Sequence, residues 1–209
     1  TSPLGFDQRL ARVGQRLLEV VERGSWDVVD ELVDAHQAVR RHDQSARETR
    51  RLERVDMALR LVRWQGRRQQ APPTEPQSFA EAANDYLRVG GFIDWARLSL
   101  RSGDPVRELS EAYARLFDRA TEFRQQQSRA FAKLLADWTT AGSHGDEVIP
   151  VERVLEEVVA PLAEKGLVLV IVIDGMSVAV CRELLSDITR HEWTAISEPG
   201  RNFNRPGLA

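Results

Sequence analysis

The strongest constraint on the fold of this chain is an uninterrupted run of seven apolar residues, 167–173, that leads directly into Asp174. A strand that is buried on both faces of a sheet reads as a continuous apolar run, because neither face needs polar residues. The run is far too short to span a membrane. The sequence therefore predicts a buried parallel strand over 167–173, with Asp174 at the point where the strand leaves its sheet.

The residues on either side of this run predict the start of an α/β domain. An amphipathic helix is predicted from Val151 to Leu162 and ends by Gly166, and a second helix is predicted over 177–190. A short strand at 193–197 completes an α-β-α-β order, which is typical of the opening of a parallel α/β domain. Two strands cannot cover a core strand that is apolar on both faces, so we expect the chain to be a fragment of a larger domain.

The turn after the predicted strand, Asp174-Gly175-Met176-Ser177, fits two interpretations. Ligands and metals usually bind in the crevice beyond the carboxyl ends of parallel strands, which is where Asp174 is expected. Alternatively, Asp174 or Ser177 caps the next helix by accepting hydrogen bonds from its first N–H groups. The sequence disfavours Ser177 as a nucleophile, because the local motif has no histidine or second acid to activate it.

The segment Val170-Ile171-Val172-Ile173-Asp174-Gly175-Met176-Ser177 and the helix over 178–185 resemble the PglZ family. This family is the phosphatase-like component of bacterial BREX phage-resistance systems and a branch of the alkaline phosphatase superfamily. The resemblance implies a mainly α-helical region followed by the start of an α/β, alkaline-phosphatase-like parallel-sheet domain. The helical region agrees with the family only in general character.

The resemblance also implies a function, that of a metal-dependent phosphoesterase or phosphodiesterase acting with other BREX proteins. Asp174 matches the family's metal-binding aspartate, Gly175 and Ser177 form its supporting turn, and the divalent metal of the intact protein is expected to be zinc. The nucleophile and most other ligands would follow Ala209, so we expect this fragment to be inactive and to hold no metal stably. The alternative is a helical scaffold or docking module for other defence proteins, without catalysis.

The first two-thirds of the chain predict helices. Apolar residues at helical spacing, ending at Gly24, predict the first one; they are Phe6, Leu10, Val13, Leu17 and Val20. Further helix starts are predicted from capping residues, at Ser25-Trp26, Ser45 with Glu48, Ser78 with Glu81, and Asp104-Pro105.

Two segments interrupt the helical patterns. Three prolines within 69–77 prevent a helix from continuing there, and small polar residues and glycines fill 141–147. We therefore divide the chain into a helical region, 1–140, with a sub-boundary at 69–77, and an incomplete α/β domain, 148–209.

A cluster of arginines offers a further candidate site. Its members Arg47, Arg50, Arg51 and Arg54 carry guanidinium groups that could neutralise the phosphates of a nucleic acid. Acids interleaved with them, such as Glu48 and Glu53, favour instead a solvated and salt-bridged helix face.

Composition is that of a globular protein, with 42% hydrophobic and 29% charged residues and a net charge of -3. The N-terminus lacks the apolar core of a signal peptide, so we expect a cytoplasmic bacterial protein with no membrane partner. The single cysteine, Cys181, is expected to be a core residue. His191 follows the last predicted helix, where a helix-terminal role is favoured over metal ligation.

Overall fold

A computed structural model of the chain describes residues 2–24, 29–70, 75–142, 148–191 and 193–194. Eight α-helices lie within these ranges; they are α1 (Pro3–Arg23), α2 (Val29–Arg40), α3 (Thr49–Gln70), α4 (Phe79–Asp85), α5 (Gly91–Leu100), α6 (Arg107–Thr140), α7 (Ala160–Ala163) and α8 (Val178–Arg190). Short 3₁₀ segments occupy Asp43–Ala46 and Val151–Arg153, and π-helical turns occupy Tyr86–Gly90 and Leu155–Val159. The described residues contain no strand. The prediction of a mainly helical region is confirmed.

The chain divides into two compact units. The first comprises Thr1–Glu75 and Ile93–Ser128, and the second comprises Pro76–Phe92 and Arg129–Ala209. Helices α5 and α6 therefore each contribute residues to both units. The predicted boundary at 141–147 lies largely outside the described residues, and the division into 1–140 and 148–209 stays a prediction.

The core of the first unit is built from the apolar faces of its helices. The five residues whose spacing predicts α1 are all exposed by 2% or less. Gly24 ends this helix as predicted, since it adopts a φ of 59° and its N–H donates to the carbonyl oxygen of Val20 at 3.1 Å. The remaining fully buried side chains include Leu32, Leu61, Ile93, Leu100, Leu109, Tyr113 and Leu116.

The helix start at Ser78 and the Ser78 cap are confirmed, but the return hydrogen bond of the predicted capping box goes from Glu81 to Gln77 rather than to Ser78. The hydroxyl oxygen of Ser78 accepts a hydrogen bond from the backbone N–H of Glu81 at 3.2 Å, and the Glu81 carboxylate accepts one from the N–H of Gln77 at 2.8 Å. In this second unit, the ring of Phe79 then lies 5.3 Å from that of Phe131 and 4.8 Å from that of Trp138. The aromatic contacts hold α4 against the last part of α6.

The capping box predicted at Ser45 is wrong, because α3 begins at Thr49. Residues 43–46 form a 3₁₀ segment instead, and the ring nitrogen Nδ1 of His42 accepts a hydrogen bond from the N–H of Gln44 at 3.2 Å. His42 is buried, with its ring 5.5 Å from that of Phe6. This packing against α1 decides the turn, since tertiary contacts override a weak local preference. The predicted start at Ser25-Trp26 lies outside the described residues.

The predicted buried strand over 167–173 is not formed among the described residues. The segment is neither helical nor paired in a sheet, and its side chains are exposed by 40% at Val168 to 108% at Leu167. A strand requires neighbours that pair with its N–H and C=O groups, and the described residues provide none. Residues 193–194 of the second predicted strand are also unpaired, and 195–197 lie outside the described residues.

The helix predicted from Val151 to Leu162 forms as three consecutive short helical segments that end at Ala163. Its apolar residues are not buried: Val151, Leu155, Val158 and Leu162 are exposed, and Val154 and Val159 are half-buried. Cys181 on α8 is half-buried and unpaired, rather than a core residue. None of the described helices is both long enough and apolar enough to cross a membrane.

Candidate functional site

The turn before α8 holds the residues that the sequence singled out. Asp174 and Gly175 form a turn in which Gly175 has a φ of 71°. This left-handed conformation costs glycine nothing and is strained for other residues. The Asp174 side chain is exposed and makes no hydrogen bond or ion pair within the described part of the chain.

Ser177 caps α8. Its hydroxyl oxygen accepts a hydrogen bond from the N–H of Val180 at 3.3 Å, and its carbonyl oxygen accepts one from the N–H of Cys181 at 2.9 Å. The helix-cap interpretation is therefore confirmed for Ser177. The carboxylate of Asp174 takes no part in this cap.

Loss of this cap should loosen the first turn of α8. We expect Ser177→Ala to cost about 1 kcal/mol locally, which accelerates hydrogen exchange at the Val180 amide about fivefold. Ser177→Asp is the matched control, because an aspartate also caps well and should keep exchange slow. An unchanged exchange rate in the alanine variant would contradict the capping role.

The described residues do not assemble a metal site. Among them, no three His, Cys, Asp or Glu side chains are grouped so that they could hold a metal ion. His191 lies at the opposite end of α8, where its N–H donates to the carbonyl oxygens of Asp187 and Ile188 at 3.3 and 3.1 Å. With 13 residues in α8, that end is about 20 Å from Asp174. The helix-terminal interpretation of His191 is confirmed.

Gly91, the first residue of α5, lets the beginning of α8 approach closely. A Cβ atom on Gly91 would lie 2.8 Å from Cγ1 of Val178, and one on Gly90 would lie 2.4 Å from the ring of Tyr86. The π-helical turn Tyr86–Gly90 immediately precedes this contact. Gly91 therefore lets the start of α8, and with it the turn that carries Asp174, lie close to α5, whereas Gly90 makes room for the ring of Tyr86. The only sequence signal was a glycine pair within a helical pattern, which often marks close packing.

Arg51 lies largely in the interior of the first unit and contacts acids there, while the predicted nucleic-acid contact of its cluster stays a prediction. Its Nε donates to Asp104 Oδ2 at 2.9 Å and its Nη2 to Asp104 Oδ1 at 2.7 Å. The same Nη2 lies 3.0 Å from Oδ1 of Asp7 on α1. These hydrogen bonds, above all those to Asp104, raise the pKa of Arg51 above its usual value. Arg51 thus joins α1 and α3 to the start of α6.

Asp104 supports α6 as the sequence predicts, although the helix begins two residues later than expected. Its Oδ1 accepts a hydrogen bond from the N–H of Val106 at 2.9 Å, and α6 starts at Arg107. The Asp104 side chain is 0% exposed and that of Arg51 is 13% exposed. The sequence missed their pairing, because 53 positions separate the two residues.

The other members of the arginine cluster have different environments. Arg47 and Arg50 are exposed, and neither forms an ion pair within the described ranges. Arg54 is half-buried, and its Nε has no hydrogen-bond partner there. The four guanidinium groups are therefore not equivalent, and Arg51 already forms ion pairs with two carboxylates of the protein itself.

The chain matches no protein-family model, no curated protein and no solved structure. The likeness to the PglZ family consequently depends on the residues of 170–185, and the activity that it implies is a proposal.

Proposed function

We propose that this chain belongs to a PglZ-like, metal-dependent phosphoesterase or phosphodiesterase of a bacterial BREX defence system. In this proposal, residues 148–191 open an α/β domain whose other strands lie elsewhere in the intact protein. The observation that carries it is the exposed apolar run over 167–173, followed by the turn of Asp174 and the capped helix α8.

The exposed apolar surface supports the proposal that further strands pair with the segment 167–173 in the intact protein. Burial of one large apolar side chain stabilises a protein by about 1.5–3 kcal/mol. Seven adjacent exposed side chains of this kind therefore strongly favour a structure in which other parts of the protein cover them. Contiguous apolar surface of this kind is rare on a complete soluble domain. A strand that is apolar on both faces is covered by helices on both sides of a parallel sheet. Val180 and Leu184 on α8 are exposed as well and, being four positions apart, share one helix face that would contact such a sheet.

The place of Asp174 supports its assignment as one metal ligand. Once 167–173 pairs as a strand, Asp174 lies at its carboxyl end, where open α/β sheets bind ligands. A pair of divalent metals stabilises both the attacking and the leaving oxygen of a phosphate ester. The described residues alone do not fit such a pair, because a catalytic zinc takes three protein ligands and Asp174 supplies one. The other ligands and the nucleophile would come from the rest of the domain.

The test uses the intact protein that contains this chain. Asp174→Ala should abolish zinc- or manganese-dependent hydrolysis of a generic phosphodiester, while the melting temperature stays the same, because the exposed carboxylate stabilises nothing in the fold. The matched control is Asp187→Ala, which removes another exposed acid of the same segment and should leave turnover intact. Turnover at the normal rate in Asp174→Ala would exclude the assignment. The 209-residue chain by itself should be inactive with any of these metals.

A second candidate function is a docking or scaffolding module for other defence proteins. It is favoured by the first unit, which contains every fully buried large side chain found among the described residues. If the intact protein hydrolyses no phosphoester with any divalent metal, yet still binds other proteins of its defence system, this alternative replaces the enzyme.

A further inference from the structure

The second half of α3 differs in charge from the first half. From Met57 to Gln70 the helix carries four arginines and no acid, whereas Thr49 to Asp56 holds three arginines and two acids. The whole chain has a net charge of -3. The positive charge of this half-helix is therefore local and does not reflect the composition of the protein.

Three of these arginines form one exposed stripe, which consists of Arg60, Arg63 and Arg67. Side chains at positions i, i+3 and i+7 lie on one face of a helix. All three residues are exposed, while Leu61 and Val62 on the other side of the helix are fully buried. Because that buried face anchors α3 in the core of the first unit, the arginine stripe is presented on a rigid element.

The arginines of the stripe have no carboxylate in close contact within the described ranges. Burial raises the pKa of the Asp56 carboxyl, but His36, Arg40 and, with the smallest effect, Arg60 lower it below its usual value. None of them forms an ion pair within 4 Å in the ranges that the structure describes. The nearest acid on α3 is Asp56, whose two oxygens already lie 2.8 Å from His36 Nε2 and 3.2 Å from Arg40 Nη2.

Several other exposed arginines of this chain are paired with acids, although Arg47 and Arg50 are not in the part that the structure describes. Arg88, Arg107 and Arg153 each pair with an acid three or four positions away along the chain. The helix dipole favours a cation only near the last turn, which accounts for Arg67 but not for Arg60. The usual structural reasons for exposed arginines therefore leave most of the stripe unexplained.

We propose that the arginine stripe binds the phosphate backbone of a nucleic acid without reading its sequence. The stripe covers seven residue steps, or about 10 Å along the helix axis. With a rise of about 3.4 Å per nucleotide of one strand, it matches about three consecutive phosphates. The planar guanidinium group of arginine can donate two hydrogen bonds at once to phosphate oxygens. An anionic membrane is the poorer partner, since the apolar residues that would insert into it are buried in the core.

This inference does not depend on the proposed phosphoesterase activity. It concerns a surface of the first unit, and it also differs from the earlier hypothesis for Arg47, Arg50, Arg51 and Arg54, which lie before or in the first half of α3. A nucleic-acid contact here would position a polymer and would leave hydrolysis to another part of the protein.

The test measures binding of the purified chain to a fluorescein-labelled 20-base-pair DNA duplex by anisotropy, from about 50 to 200 mM salt. The triple variant Arg60→Gln, Arg63→Gln, Arg67→Gln should lose at least tenfold in affinity at the low salt. The slope of log K against log salt should become shallower by about 2 to 3, because each lost phosphate contact removes nearly one unit. Replacing the same three residues by lysine should restore most of the binding.

The matched control is the triple variant Arg88→Gln, Arg107→Gln, Arg153→Gln, which removes the same charge from paired, exposed positions. It should bind DNA like the wild type. Circular dichroism checks that all variants keep their helical content. The proposal is overturned if the wild-type chain does not bind the duplex, if both glutamine variants lose affinity equally, or if the stripe is needed only for binding to phosphatidylserine vesicles.

Discussion

Replacing Gly14 by alanine should destabilise the first unit by about 3 kcal/mol. The added Cβ would lie 2.5 Å from the carbonyl carbon of Glu108 and from the nitrogen of Leu109, and 2.7 Å from the Glu108 oxygen. These are backbone atoms of α6, so no side-chain rotation relieves the overlap. Helices α1 and α6 have to separate, which loosens the core residues between them. The midpoint of urea denaturation measures the loss.

Gly5→Ala is the matched control on the same helix. A Cβ there would meet only Nε2 of His42 at 3.6 Å and the hydroxyl of Ser2 at 3.7 Å, which are ordinary contacts. Because alanine favours a helix over glycine, this variant should be unchanged or more stable by up to about 1 kcal/mol. If Gly14→Ala is as stable as the wild type, α1 and α6 do not approach as closely as described.

Arg51→Ala should cost about 3–5 kcal/mol of stability, the second large effect. The variant leaves the buried carboxylate of Asp104 without its cation, and it disconnects Asp7 on α1 from α3. Thermal and urea denaturation would both show the loss. Most of it comes from the uncompensated charge rather than from the net attraction of the pair, because forming the pair also removes both groups from water.

Two further variants separate this charge effect from a general loss of packing. Arg50→Ala removes an exposed neighbour on the same helix and should change stability by less than about 0.5 kcal/mol. The double variant Arg51→Met, Asp104→Asn should recover much of the loss, because it removes both charges, nearly keeps the volume and retains a side-chain oxygen that can accept from the N–H of Val106. If the double variant is as unstable as Arg51→Ala, the buried carboxylate is not the cause.

The features that the sequence predicted well depend on neighbours along the chain. The apolar stripe and Gly24 define α1, and Ser78 with Glu81 starts α4, because the groups involved are three or four residues apart. The same holds for Ser177 as the cap of α8. The helix start predicted at Ser45 was wrong, although its sequence pattern matches a capping box as well as that of Ser78 does. His42 packs against Phe6 and accepts a hydrogen bond from Gln44, and these contacts stabilise a different turn.

The candidate site was predictable only in part. Its turn and its capped helix are local features, and they form where the pattern 167–190 places them. The buried strand before the turn depends on pairing with other strands, and the seven apolar residues stay exposed among the described residues. The glycine pair at 90–91 indicated close packing but not the contact of Gly91 with Val178, because a glycine identifies a close approach and not the element that approaches.

The sequence by itself determined which segments are helical, where several of them begin and end, and which face of each is apolar. Those properties follow from hydrogen bonds and side-chain spacing within one turn of chain. Only the tertiary structure decided that Arg51 pairs with Asp104 and that the backbone of α6 packs closely against Gly14. It alone left Arg60, Arg63 and Arg67 without a close ion pair in the part of the chain that the structure describes, on a helix anchored in the core. These outcomes depend on residues far apart in the chain, whose meeting is decided by packing and burial rather than by local spacing.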